Sequence, residues 1–156
     1  MNEQSPLVLH SAEDFRPLVG REIAKSEWFT ITQDRINAFA ELTGDRQWIH
    51  VDPARAHRES PYRTTIAHGF LTLSLLSRMF QSAVQVNTAG MTINYGLNRV
   101  RFPAAVPVNS RVRAIFALHS FEELSNGCQL TFAVVVECEG SEKPCCVAEW
   151  VLRSYP

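Results

Sequence analysis

The sequence has no aspartate or glutamate between Glu59 and Glu122, although the whole chain of 156 residues carries a net charge of only −1. The near-neutral total argues against a nucleic-acid-binding protein, which needs a broad cationic surface. The acid-free stretch also lacks lysine, and its permanent charges are all arginines: Arg63, Arg78, Arg99, Arg101, Arg111 and Arg113. Such arginines favour a phosphate-bearing ligand, and pairing with acids elsewhere in the fold is the alternative.

Long apolar runs and targeting signals are missing as well. The apolar run 64–77, which contains no Asp, Glu, Lys or Arg, is too short to cross a hydrocarbon core of about 30 Å. The N-terminal residues show no basic segment followed by an apolar one, so no secretory signal is predicted. The cysteines lie on predicted strands without C-x-x-C spacing: Cys128, Cys138, Cys145 and Cys146. We therefore expect packed, reduced thiols in a cytoplasmic protein with no metal site, no cofactor and no membrane partner.

The composition is that of an ordinary globular protein, with 46% hydrophobic and 20% charged residues. A chain of this length can bury a core without disulfides or metal. No repeat, linker or low-complexity segment interrupts it. We therefore expect one domain over residues 1–156.

The first half of the chain predicts a strand over 22–31 followed by a helix. Thr32 is suited to cap this helix, because its hydroxyl can accept a hydrogen bond from a free amide of the first turn. Ile31 and Ile36 have the spacing of a hydrophobic staple across the cap. Gly44 is suited to end the helix in a left-handed conformation, and a short helical turn is predicted after it, over 53–57.

The second half predicts one long helix, 69–84, and then only strands. The apolar side chains of this helix surround its axis, which indicates burial on most sides. The strands are expected over 91–102, 110–121, 128–139 and 145–155, with a type I′ hairpin turn at Asn126-Gly127. The prediction is an α+β fold in which a five-stranded, mostly antiparallel sheet curls around a long buried helix. Such a sheet leaves an edge strand open, so we expect a homodimer.

Two short segments have the residue types of a catalytic site. In Gly44-Asp45-Arg46-Gln47-Trp48-Ile49-His50, a carboxylate and an imidazole lie on a short connection and can converge on one water molecule. Proton transfer by such groups contributes about 10²–10⁴ in rate. In His68-Gly69-Phe70, the glycine opens the apolar helix, whose first amides are free to hold a developing negative charge. Taken singly, Asp45, His50 and Gly69 also have structural explanations: a turn cap, a hydrogen-bonded histidine and a tight helix entry.

These segments resemble the MaoC-like dehydratases, in particular their nodulation-protein-N-like branch. The resemblance lies in three motifs: Phe39-Ala40-Glu41-Leu42-Thr43-Gly44-Asp45 with Ile49-His50 and Asp52-Pro53, Ile66-Ala67-His68-Gly69-Phe70-Leu71-Thr72-Leu73-Ser74-Leu75, and Asn94-Tyr95-Gly96-Leu97-Asn98-Arg99-Val100-Arg101-Phe102-Pro103. It implies a hot-dog fold, a dimer, and (R)-specific hydration of trans-2-enoyl-CoA or the reverse dehydration. The acyl thioester is the implied substrate, on coenzyme A or on an acyl carrier protein.

The resemblance also assigns roles to particular residues. It implies that Asp45 and His50 are the catalytic pair, that the Gly69 amide holds the thioester oxygen, and that Ser74 lines the acyl pocket. Where the family motif has Asn-Pro, this chain has Gln47-Trp48, which removes a fixed φ and adds bulk.

Several interpretations stay open at the level of sequence. Hot-dog folds also support acyl-CoA thioesterases, and the Gln47-Trp48 departure leaves room for a non-catalytic acyl-CoA or acyl-carrier binding protein. His68 is expected to have a structural role in positioning its loop. The candidates for contact with coenzyme A phosphates are Arg99, Arg101, Arg111 and Arg113.

Overall fold

The computed structural model describes residues 5–87 and 90–156. These residues form eight β-strands, five α-helices and one 3₁₀ helix. The strands are β1 (Leu7–Leu9), β2 (Arg21–Lys25), β3 (Phe29–Thr30), β4 (Val84–Val86), β5 (Met91–Arg101), β6 (Arg111–Leu124), β7 (Gly127–Cys138) and β8 (Cys146–Tyr155). The helices are the 3₁₀ helix (Ala12–Leu18), α1 (Gln33–Thr43), α2 (Trp48–Val51), α3 (Pro53–Glu59), α4 (Gly69–Ser74) and α5 (Leu76–Ala83). Within the two described ranges, no helix is both long and apolar enough to span a membrane.

Six of the strands form one antiparallel sheet in the order β2-β6-β7-β8-β5, with β3 also paired to β6. The strands β1 and β4 form a separate parallel pair. The expected α+β architecture is therefore confirmed, although the sheet has six strands rather than five. The strand β5 lies at one end of this order, so it is an edge strand.

The extra strand arises because the segment 22–31 is divided into β2 and β3, which corrects the single predicted strand. Between them, the Ser26 hydroxyl accepts a hydrogen bond from the Ala114 amide at 2.9 Å and donates one to the Glu27 carbonyl at 2.8 Å. The Ser26 amide in turn donates to the Ala114 carbonyl. The side chain thus replaces a main-chain acceptor of the ladder, and the strand can leave the sheet without an unpaired buried amide.

The local signals around α1 are confirmed. The Thr32 hydroxyl accepts from the Arg35 amide at 3.4 Å, and Gly44 ends the helix with a φ of 76°. Ile31 and Ile36, which flank the cap, are both fully buried. The turn of the β6–β7 hairpin differs from the prediction: Leu124 pairs with Gly127, so Ser125 and Asn126 form the turn and Asn126 does not have a positive φ.

The long buried helix of the prediction is two segments, α4 and α5, separated at Leu75. The Ser74 hydroxyl donates to the Leu71 carbonyl at 2.8 Å, and the Leu75 amide reaches that same carbonyl at 3.3 Å. Competition for one acceptor of this kind loosens and bends helices. Burial is also less complete than expected, because Phe70 at the start of α4 is 70% exposed.

The sheet curls around α5 through a cluster of aromatic side chains. The Phe80 ring contacts Phe116 of β6, Phe132 of β7 and Trp150 of β8 edge-on, with centroid distances of 5.2, 5.2 and 5.7 Å. Such edge-to-face contacts are favoured by the quadrupoles of the rings. One helical side chain therefore joins three neighbouring strands, and α4, which precedes α5, is held at a fixed place beside the sheet.

Candidate active site

The connection between α1 and α3 places Asp45 and His50 on one tight segment. The Gln47 amide donates to the Asp45 carboxylate at 3.4 Å, and the His50 amide donates to the Gln47 carbonyl at 2.9 Å. Asp52 caps α3 by accepting from the Arg55 amide at 2.9 Å. The left-handed glycine before Asp45 and the proline after Asp52 bound this segment, as the sequence indicated.

His50 is buried and has a defined tautomer. Its Nδ1 lies 2.7 Å from the Ile66 carbonyl oxygen, which can only accept, so Nδ1 carries the hydrogen and Nε2 keeps its lone pair. Burial lowers the pKa of His50, and the contact with His68 lowers it further, whereas the Ile66 hydrogen bond and the Asp45 charge oppose the shift. His50 is therefore held in its neutral form, in which Nε2 can act as a base.

The main chain of His50 is fixed by a hydrogen-bonded network between three segments. Gln33 at the start of α1 donates from Nε2 to the His50 carbonyl at 2.7 Å. The Gln33 amide oxygen accepts from the hydroxyl of Thr65, which is fully buried, at 2.5 Å. The Ile66 amide donates to the Ile49 carbonyl at 3.1 Å. The segment before α4 therefore runs alongside α2 and carries the groups that orient His50.

Asp45 differs from His50 in exposure: its side chain is 57% exposed. One carboxylate oxygen of Asp45 and one ring nitrogen each of His50 and His68 lie within 4.8 Å of one another. A water that forms hydrogen bonds of about 2.8 Å to two such atoms can bridge a separation of this size. The structure thus brings Asp45 and His50 to within the distance that one bridging water can span.

His68, for which only a structural role in its loop was expected, contacts both Asp45 and His50. It is 3% exposed, its Nε2 lies 2.9 Å from the Asp45 carbonyl oxygen and 4.0 Å from a carboxylate oxygen of Asp45, and its ring stacks on His50 with a centroid distance of 3.8 Å. The sequence signal for this contact was a second histidine in the motif that opens α4. No local sequence pattern predicts that His68 contacts Asp45, which lies 23 positions earlier.

By distance alone, the group of Asp45, His50 and His68 could surround a metal ion. The geometry of the rings argues against it, because the two imidazoles are stacked with an interplanar angle of only 25°. The lone pairs of imidazole nitrogens lie in the ring planes. Lone pairs in two nearly parallel planes do not converge on one ion, so we do not propose a metal here.

Gly69 and Ser74 lie at the two ends of α4. Gly69 directly follows His68 and is the first residue of the helix. Ser74 is exposed, and its hydroxyl bonds to Leu71 rather than to the Asp45–His50 group in the described part of the chain. Gly69 is therefore the chain neighbour of the histidine that stacks on His50, whereas Ser74 lies more than a turn further along the helix.

The charged and aromatic residues around the site are only partly as expected. Arg111 is ion-paired with Glu139, just after β7, and Arg113 with Glu137 of β7. Both guanidinium groups lie over the Trp28 ring. These two arginines are thus occupied, and the expectation that they hold coenzyme A phosphates is withdrawn.

Trp48, which stands where the family motif has proline, is the first residue of α2. The Arg55 guanidinium lies over its ring at 4.4 Å. The bulk that Trp48 adds is therefore packed against α3.

The site thus contains an exposed carboxylate and a buried imidazole, in a structure whose sheet curls around α5. The chain belongs to the MaoC-like domain family, whose model matches residues 14–137. It is accordingly an enzyme of the hydratase/dehydratase type.

Curated relatives span nearly the whole chain. The 3-hydroxyacyl-thioester dehydratase Z of Mycobacterium tuberculosis is 53% identical over 92% of this chain and 95% of its own length. Nodulation protein N of Rhizobium leguminosarum bv. viciae is 45% identical over 90% and 89%. These two relatives confirm the resemblance to the nodulation-protein-N-like branch.

Solved structures confirm the hot-dog fold. The structure of the monoamine oxidase regulatory protein from Archaeoglobus fulgius matches with a TM-score of 0.77 at 21% identity. The match covers 98% of this chain and 99% of the Archaeoglobus chain. R-hydratase PhaJ1 of Pseudomonas aeruginosa matches with a TM-score of 0.71 at 23% identity, over 88% and 81%.

Proposed function

We propose that this chain catalyses the (R)-specific hydration of trans-2-enoyl-CoA to 3-hydroxyacyl-CoA, or the reverse dehydration, with Asp45 and His50 as the catalytic pair. The observation that carries the proposal is the state of His50. Its Nδ1 hydrogen is committed to Ile66, and its free Nε2 belongs to a buried ring within water-bridging reach of the Asp45 carboxylate. The 53% identity to a protein named as a 3-hydroxyacyl-thioester dehydratase supports the reaction class.

In the hydration direction, a water bound by Asp45 and His50 loses a proton to His50 Nε2 as its oxygen bonds to C3 of the enoyl group. The electron pair of the C2–C3 double bond moves toward the thioester oxygen, and C2 then takes a proton back from the pair. Because both the hydroxyl and the proton come from one side, addition occurs on one face of the substrate. Each proton transfer of this kind contributes about 10²–10⁴ in rate.

The thioester oxygen is proposed to bind at the Gly69 amide. The first amides of a helix have no acceptor within the helix and lie at the positive end of its dipole. Removal of one oxyanion donor costs about 10²–10³ in kcat in a model enzyme. Ser74, further along the same helix, is proposed to contact the acyl chain beyond the reacting carbons.

The proposal is tested with trans-2-enoyl-CoA substrates of several chain lengths, followed by loss of the absorbance of the conjugated thioester. We expect Asp45→Asn and His50→Gln to lower kcat by at least about 10²-fold. His119→Gln is the matched control, since His119 is exposed on β6. Release of free thiol instead of hydration would identify a thioesterase, and binding without turnover would identify a non-catalytic acyl-CoA protein. Either result contradicts the proposal.

We further propose that two copies of the chain pair through β5, as a homodimer. This edge strand exposes four large apolar side chains: Met91, Ile93, Tyr95 and Leu97. An antiparallel pairing of β5 with its own copy would bury this surface in both chains and satisfy the open edge. Leu97→Arg is expected to give a monomer in size-exclusion chromatography with light scattering. Val135→Arg, at a similarly exposed position of β7, is expected to leave the dimer intact; a Leu97→Arg protein that stays dimeric would contradict the pairing.

The remaining features of the proposal concern the substrate carrier, the extent of the domain and the compartment. Arg99 and Arg101 of β5 are the remaining candidates for contacts with the phosphates of coenzyme A. We propose that residues 1–156 form one hot-dog domain. The four free, buried cysteines support a reducing compartment, the cytoplasm.

A further inference from the structure

We propose that His68 is a positioning residue for the Asp45–His50 pair: its N–H fixes the main chain of Asp45, and its ring face supports the His50 imidazole. The inference rests on the proposed function, because it assigns the means by which the two catalytic groups are held in register.

The first contact is a hydrogen bond across the site. The Nε2 of His68 lies 2.9 Å from the Asp45 carbonyl oxygen, which can only accept, so Nε2 carries the hydrogen and donates it. Asp45 lies in the short connection between α1 and α2, and its side chain is more than half exposed. A donor from a histidine that is only 3% exposed therefore ties this exposed connection to the protein interior.

The second contact is the ring stack. The His68 ring contacts His50, at a centroid distance of 3.8 Å, and also Phe39 of α1, at 5.1 Å. The Ile66 carbonyl holds His50 within its ring plane, and His68 supports it from the face. Together these two restraints determine where the free Nε2 of His50 points.

The Nδ1 atom of His68 distinguishes the positioning role from simple packing of the ring. Its Nδ1 is buried and has no hydrogen-bond partner in the described part of the chain. A buried nitrogen without a partner is unfavourable, and a phenyl ring could fill the same stack without that cost. The stack alone therefore does not account for a histidine here, whereas the hydrogen bond to Asp45 does.

The contact has an electrostatic consequence as well. The titratable groups that face His50 are His68 and Asp45, and the Ile66 carbonyl accepts its Nδ1 hydrogen. Proximity to His68 lowers the pKa of His50, and proximity to Asp45 raises it. Removal of the His68 ring should therefore raise the pKa of His50 and move the acid limb of the kcat/KM profile to higher pH.

Two variants separate the two contacts. His68→Phe keeps a ring for the stack and removes the donor, so kcat should fall by about 10²-fold, the effect of a misplaced catalytic group. His68→Gln can supply an amide N–H to the Asp45 carbonyl, so it should recover much of kcat relative to His68→Phe. Both variants should raise the midpoint of the His50 titration, which a purely structural role would leave unchanged.

The His50 midpoint is measured by NMR of its ring Cε1 proton, assigned with His50→Gln, so it does not depend on turnover. Equal midpoints in the wild type and in both variants would overturn the inference, as would a His68→Phe enzyme with nearly full kcat. If the wild type does not hydrate any enoyl-CoA, the proposed function fails, and the NMR titration still decides the contact between His68 and His50.

Discussion

The substitution Gly69→Ala tests the proposed oxyanion site with little change in the fold. A Cβ at this position would lie 3.0 Å from two atoms of the Phe102 ring and 3.2 Å from a third. Ordinary contacts between carbon atoms are about 3.5–4.0 Å, so the ring must move by a few tenths of an ångström. Phe102 is 39% exposed and is able to do so.

The expected effects on stability and on catalysis are very different in size. In a helix, alanine is favoured over glycine by roughly 0.5–1 kcal/mol, which offsets the contact with Phe102 and leaves the free energy of unfolding within about 1 kcal/mol of the wild type. The new methyl group lies beside the amide N–H that is proposed to donate a hydrogen bond to the thioester oxygen. Alanine keeps the N–H, but a methyl group that blocks the approach of the oxygen to it should lower kcat by about 10²–10³, as loss of an oxyanion donor does.

The assay is the initial rate of enoyl-CoA hydration, together with chemical denaturation of the same preparations. Phe102→Leu is the control, alone and combined with Gly69→Ala, because the smaller side chain removes the contact with the new methyl group. We expect the double variant to stay inactive. A Gly69→Ala enzyme with nearly wild-type kcat, or recovery in the double variant, would refute the assignment of the Gly69 amide.

Three further predictions concern pH and stability. Because burial holds the pKa of His50 below its usual 6.5, kcat/KM should stay high as the pH falls below 6.5. Between the lowered pKa and 6.5, His50 binds a proton in the unfolded chain but not in the folded one. The free energy of unfolding should therefore fall as the pH drops through this window, which denaturation at several pH values can show. Phe132→Ala removes a fully buried ring and should cost about 3–5 kcal/mol in denaturant unfolding, against less than about 0.5 kcal/mol for Val135→Ala at an exposed position. Ser26→Ala leaves the Ala114 amide without its side-chain acceptor and should cost about 1–3 kcal/mol, whereas an unchanged midpoint would show that the hydroxyl is dispensable.

The features that the sequence predicts well are those determined by neighbours along the chain. The hydroxyl of Thr32 and the missing Cβ of Gly44 act within one helical turn, so the bounds of α1 follow from residue type alone. The Asp45–His50 spacing is local in the same sense. The alternation of Leu130 and Phe132 with polar residues likewise predicts β7 and its buried face, since side chains alternate along a strand.

The structural features that cannot be predicted from the sequence depend on which of several possible hydrogen-bond or ion-pair partners a side chain contacts in the fold. The break at Leu75 carries no proline or glycine, and it follows from a Ser74 hydroxyl that bonds to its own helix. The pairing of Arg111 with Glu139 joins the first residue of β6 to a residue 28 positions later, just after β7.

His68 is the instructive case within the site. Its position before Gly69 predicts a helix entry, but the contacts with Asp45 and His50 exist only after α1, α2 and α4 have packed together. A residue can therefore belong to a recognised motif although the sequence does not indicate which residues it contacts in the fold.

The most direct test of the account is the stereochemistry of hydration in D₂O. If Asp45 and His50 act on one water on one side of the substrate, deuterium at C2 should be added on the same face as the hydroxyl, and the proposed (R)-specificity requires that the product is only the (3R)-hydroxy compound. NMR of the product, with chiral separation of the 3-hydroxyacyl group, reads both centres at once. Deuterium on the opposite face would contradict the shared water between Asp45 and His50, and a (3S) product would contradict the proposed (R)-specificity.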